Sequence, residues 1–131
     1  MTVEPYGTLT VRAFTSRAQI PVPGATAAVT RPTGEGRHQL VALRVTDESG
    51  LIEPIPFPAP PPGQSERPGG GQPFALCDVW VEHPDFQMLH VADVQVFAGV
   101  ETRQEAELLP LPEHPDRRDM TSAVTITPQP L

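Results

Sequence analysis

The sequence predicts a small all-β sandwich of about seven short strands, and three observations carry that prediction. Apolar and polar residues alternate with period two over short stretches, turn signals recur between them, and proline fills 18 of 131 positions against an ordinary usage of about 5%. Alternation is the mark of a strand with one buried face. Proline lacks the N–H that a helix or a central strand donates, so long helices are disfavoured and edges and turns are favoured. Hydrophobic residues make up 38% of the chain and aromatics only 5%, which leaves the packing to Val, Leu, Ile and Ala. A chain of 131 residues suits one domain with a modest core.

The first strand is predicted over Gly7–Thr15, where Leu9, Val11 and Ala13 alternate with Thr8, Thr10 and Arg12. After a turn at Pro21, Pro23 and Gly24, a second runs through Ala25, Ala27 and Val29 and stops at Arg31-Pro32. Gly34-Glu35-Gly36 reverses the chain into a third, His38–Thr46, with Leu43 and Val45 expected as its core-facing pair. Asp47-Glu48-Ser49-Gly50 is a turn of residues that hydrogen-bond their own backbone, closed by a glycine tolerant of positive φ. Leu51–Phe57 carries Pro54 and Pro56 and fits an edge strand.

Residues 58–73 hold six prolines and four glycines, the composition of a long polyproline-like loop. A domain boundary there is disfavoured, because neither half alone has enough apolar strand to build a core. Phe74–His83 resumes the pattern, with Ala75, Cys77, Val79 and Val81 on one face and Leu76, Asp78, Trp80 and Glu82 on the other. His83-Pro84-Asp85 is a turn, Met88–Ala98 a further strand, Gly99 a bend, and Val100–Leu111 the last strand. The helix-forming composition of 100–109 leaves a short helix as its alternative. The expected domain is 1–112, with 113–131 a C-terminal tail. Within that tail Ser122–Thr127 again alternates, and Val124 and Ile126 make it competent to dock on an unpaired sheet edge, its own or a neighbour's.

Several of these segments, taken in order, resemble the carboxypeptidase regulatory-like (transthyretin-like) domains. Pro21–Val29 resembles the family's P-x-x-G-A-x-V-x-V, Thr46–Gly50 its T-(D/N)-x-x-G turn, and Val79–Phe86 its V-x-V-x-x-x-G-Y. Asp85 and Phe86 stand where Gly-Tyr is usual. A closer likeness runs through Pro73–Val79, Val94–Val100 and Leu108–Leu111. It is similar to the module that accompanies spore cortex-lytic and peptidoglycan-binding proteins of Clostridia-type bacteria, whose members tend to carry Tyr where Cys77 stands. The likeness covers about residues 7–112. It implies a two-sheet transthyretin-like sandwich, no peptidase activity, and a place at a bacterial spore or cell envelope.

Charge and site chemistry narrow the function classes. Nine Lys+Arg against 16 Asp+Glu give a formal charge of −7, which repels nucleic acid and anionic membrane surfaces. No apolar run approaches the ~20 residues of a membrane span. The opening Met1–Tyr6 lacks the basic start and apolar run of a secretory signal, which predicts synthesis in the cytoplasm. His38, His83, His90 and His114 form no His-x-x-x-His or His-x-x-Glu pair. A metal site from His83, Asp85 and His90 across a turn is the remote alternative. There is no Gly-x-Ser-x-Gly elbow, and Gly69-Gly70-Gly71 precedes neither a lysine nor a helix. No catalytic residue, cofactor or metal is therefore expected.

The expected function is a non-catalytic structural or interaction module with a protein partner or self-association. The alternatives are a self-assembling subunit that donates its tail strand, and a peptidoglycan- or carbohydrate-binding accessory module. The candidate interaction residues are Trp80, Cys77, Val124 and Ile126. A lone tryptophan in a small domain is expected in the core, or else as an exposed platform for a partner or sugar ring. The lone cysteine is expected as a buried thiol, with a disulfide between copies as the sharper reading.

Overall fold

The computed structural model describes residues 5–59, 74–112 and, for the backbone alone, 121–125. The proline-rich stretch from 60 to 73 and the remainder of the tail, Ile126 included, lie outside the described residues. Among the described residues nine strands follow in order: β1 Tyr6–Thr15, β2 Ile20–Pro21, β3 Thr26–Gly34, β4 Arg37–Val45, β5 Ile55–Pro58, β6 Ala75–Glu82, β7 Met88–Val96, β8 Glu101–Glu107 and β9 Thr121–Thr125. They form a two-sheet β-sandwich, as the alternation predicts. Within 100–109 the chain forms a strand, Glu101–Glu107, and not the alternative helix.

One sheet has β1 at its centre, with β8 parallel to it on one side and β5 and β2 antiparallel. The other runs β4-β3-β6-β7-β9, antiparallel except for the last pair, which is parallel. Leu9, Val11, Ala13, Ile55, Phe57 and Ala106 face Ala27, Val29, Cys77, Val79, Val81 and Val91 across the middle, all buried. Phe57 is the single aromatic ring in that buried cluster among the described residues. Pro56 and Pro58 point outward from β5, which suits an edge where no N–H is needed. Gly7 is buried where β1 starts beside the end of β7; a Cβ there would run into the Phe97 carbonyl oxygen and lie 2.6 Å from Val96 Cγ1.

Two bulges set which side chains reach the core. In β7, Cys77 pairs with Val94 but Val79 with Val91, so β7 carries one extra residue at Ala92-Asp93. Asp93 takes the left-handed φ of 60° that such a bulge uses. Unbroken alternation from Leu89 and Val91 would turn Asp93 and Gln95 inward. The bulge turns Val94 and Val96 inward instead.

The second bulge lies in β4, between the pairs Val29↔Ala42 and Thr30↔Leu40. It turns both Val41 and Ala42 against the core. Leu43 and Val45, expected inside, are instead 54% and 62% exposed. The cause is the next residue. Thr46 is buried, and its hydroxyl accepts from the Ala25 N–H (2.9 Å) and donates to the Val22 carbonyl (2.7 Å). With Thr46 held inward, parity sends Val45 and Leu43 out and brings Arg44 in.

The same threonine explains why the Pro-Val-Pro-Gly-Ala and Thr-Asp-Glu-Ser-Gly motifs occur together. Its backbone N–H donates to Ala25 O, and Gly24 N–H donates to Thr46 O. Beyond it, Asp47 Oδ1 accepts from Ser49 N–H and Leu51 N–H at 2.8 and 3.0 Å, closing the turn. Thr46→Val should keep the shape but leave the Ala25 N–H and Val22 carbonyl without their side-chain partner. A loss of about 2 kcal/mol is expected, read as a lower urea midpoint with an unchanged far-ultraviolet spectrum. An unshifted midpoint would show that the clamp contributes nothing.

Candidate interaction surface

The outer face of the five-stranded sheet carries a row of side chains in register across four strands: Leu43, Ala28, Trp80 and His90. Trp80 lies here, half-buried, and not in the core, because Val79 and Val81 on either side of it take the inward positions of β6. Its indole N–H donates to Thr30 Oγ1 at 2.9 Å. Thr30 in turn lies 3.3 Å from His38 Nδ1, the ring nitrogen placed to accept the hydroxyl proton. His90 stacks flat on the indole, with centroids 3.6 Å apart and planes 4° from parallel. His38 meets the indole at right angles, 5.7 Å away.

His90 Nε2 is 2.6 Å from Asp78 Oδ2, and Asp78 is buried. A buried carboxylate needs a donor, and the imidazole N–H supplies it. The bulge gives a second, longer contact, Asp93 N–H to Asp78 Oδ1 at 3.5 Å. Asp78, His90, Trp80 and Thr30 thus form one continuous polar and aromatic strut across β7, β6 and β3. Its geometry holds the indole in place. A sugar platform needs a broad open ring face, and this ring is half-buried, stacked on one face by His90 and met edge-on by His38.

Next to the strut the surface turns apolar. Leu40, Leu43 and Val45 project from the same side of β4, at 58%, 54% and 62% exposure. β4 pairs with β3 on one side, and among the described residues no strand pairs with its other side. Sequence reasoning missed this surface. The available signal was Arg44 between Leu43 and Val45, with Val41 and Ala42 adjacent: apolar residues of both parities in one strand, more than one buried face can hold.

The other candidate residues fall elsewhere. Cys77 faces the core, with none of its surface exposed, so a cross-link between copies would require opening the sandwich. Burial, aided by the neighbouring Asp78 charge, pushes its thiol up to about 12, the opposite of a reactive cysteine. Val124 belongs to β9, which lies along the chain's own β7 with Val124 opposite Val91 in the register. His83 Nδ1 accepts from the Asp85 N–H, and its ring meets Phe86 edge-on at 5.2 Å. That turn closes through Phe86 N–H to His83 O without a positive φ, which is why Asp85 is accommodated at a position where the resembled family has glycine. A cleft of about 380 Å³ beside it is lined by Gly24, Thr26, Glu82, His83 and Pro84. Among the described residues no three His, Cys, Asp or Glu side chains gather as metal ligands, and no helix is long and apolar enough to cross a membrane.

No protein-family model and no curated protein sequence matches the chain. Solved structures do. A putative carbohydrate binding protein from Bacteroides uniformis matches with a TM-score of 0.52 and 15% identity, over 82% of this chain and 43% of that one. Catechol 1,2-dioxygenase from Pseudomonas arvilla matches with a TM-score of 0.53 and 11% identity, over 93% of this chain and 57% of that one. The minor pilin of Streptococcus agalactiae matches with a TM-score of 0.48 and 15% identity, over 88% of this chain and 50% of that one. What the first two share with this chain is the fold. The chain spans about half the length of these structures, and a shared fold does not carry a shared activity.

Proposed function

We propose that this chain is a non-catalytic interaction module that presents the outer face of its five-stranded sheet to a protein at a bacterial cell or spore envelope. One observation carries the reading: Leu40, Leu43 and Val45 stand more than half exposed in a row on one strand. Apolar side chains grouped on a face are a recurrent feature of protein contact sites. The rigid strut of Trp80, His90 and Asp78 beside them supplies a firm floor for a partner. The envelope setting is supported by the resemblance of Pro21–Val29, Thr46–Gly50 and Val94–Val100 to modules of spore and surface proteins. The carbohydrate alternative loses support from Trp80, whose ring is stacked on His90.

The test is site-specific photo-crosslinking in cells producing the protein, with benzoylphenylalanine at Leu43 and, as a control on the opposite sheet, at Arg103. A covalent adduct to an envelope protein from position 43 alone is the expected result. Adducts from position 103 and none from 43 would reject this surface. A Leu43→Asp variant should fold normally, since the side chain is exposed, while the adduct formed from a photoprobe at Leu40 disappears.

A further inference from the structure

We propose that β4 is a strand-addition edge that takes an extended, acidic segment of a partner protein. This rests on the interaction-module reading and names the chemistry of the partner. β4 is nine residues long, contains no proline, and on the side away from β3 has no strand partner among the described residues. Such an edge exposes backbone N–H and C=O groups that an added strand satisfies, with side chains on alternate positions deciding which strand is accepted.

Charge names the strand. The protein as a whole carries −7, yet the β3–β4 hairpin from Thr26 to Val45 holds Arg31, Arg37, Arg44 and His38 against one carboxylate, Glu35. None of those three arginines forms an ion pair among the described residues. Arg44 is half-buried, gives one guanidinium N–H to the Leu43 carbonyl, and keeps its Nε buried without a partner among the described residues. A buried guanidinium N–H without an acceptor is costly and calls for an oxygen ligand. A carboxylate on an adjoining strand is the acceptor that guanidinium geometry suits best. Leu40, Leu43 and Val45 would then lie beside apolar side chains on one face of the same added strand. A second copy of β4 is the poorer occupant, because antiparallel self-pairing brings Arg37 and Arg44 of two chains together.

The test uses the full chain and an end-blocked peptide of nine alternating valine and glutamate residues. Two comparison peptides carry lysine for glutamate, or proline at the centre. Amide chemical shifts are followed during each titration. The glutamate peptide is expected to perturb the amides of residues 37–45. The lysine and proline peptides should bind at least tenfold more weakly, as should the glutamate peptide to an Arg37→Glu/Arg44→Glu chain. Equal binding of the glutamate and lysine peptides, or shifts centred away from β4, would overturn the proposal. So would light scattering that shows a dimer with β4 protected. If position 43 still crosslinks to a partner in cells while the peptides do not discriminate, the surface stands and the acidic strand falls.

Discussion

Gly50→Ala is expected to lower the unfolding free energy by about 3 kcal/mol. Two independent costs meet at this position. Gly50 has a φ of 77°, a backbone region that costs an L-residue about 1 kcal/mol. Its missing Cβ also faces the Ala13 carbonyl oxygen, so an added methyl collides with backbone that cannot rotate away. The site is pinned from both sides: Ala13 N–H donates to Gly50 O at 2.8 Å, and Val22 N–H donates to the same Ala13 carbonyl at 3.0 Å. Relieving the clash therefore disturbs β1, the central strand of its sheet. Gly24 provides the control, with a φ of 74° and nothing within 4 Å of where a Cβ would stand. Gly24→Ala should cost only about 1 kcal/mol. Urea unfolding of the two variants beside the parent separates the terms, and equal losses would show that the Ala13 contact is relieved without cost.

The second large effect is alkaline. The Cys77 thiol is raised from 9.0 to about 12 in the folded chain, first by burial and then by the Asp78 charge. A raised acid pKa means that the folded state keeps a proton the unfolded state releases. The resulting stability is complete below pH 9, declines from there, and is gone once pH passes about 12. Within that window the slope is about 1.4 kcal/mol per pH unit. Cys77→Val keeps a buried, branched apolar side chain and cannot ionise, so it should lose the slope. The difference between parent and variant in urea midpoint, measured from pH 8 upward, isolates the thiol from the other groups that titrate there. Parallel curves would show that the sulfur reaches solvent before it ionises. In the same range the native thiol should resist disulfide reagents until urea opens the sandwich.

Both effects come from residues that the sequence marks without explaining. Gly50 is visible as the close of an Asp-Glu-Ser-Gly turn, but its contact with Ala13 joins segments nearly forty residues apart. Cys77 is visible as an apolar-parity residue of β6, and the structure buries it fully in the core. Trp80 has the opposite parity to Val79 and Val81, so its face was legible, but the expectation that a lone tryptophan sits in the core was not met. That three neighbours, Thr30, His38 and His90, would wrap it on that face was not legible, since they come from β3, β4 and β7.

Local chemistry was enough to establish the all-β character, the turn at 47–50, the edge nature of the proline-bearing β5, and the inward faces of β1, β3 and β6. Alternation and proline act within a few residues, so each segment declares them on its own. The parity of β4, the extra residue in β7, the two parallel pairings and the docking of β9 were left to the assembled sandwich. Each depends on a bond to a distant strand: Thr46 to Val22 and Ala25, Asp78 to His90 and Asp93, β8 to β1 and β9 to β7. A strand's pattern says that it has an inside. Only its hydrogen-bonded neighbours decide which side that is.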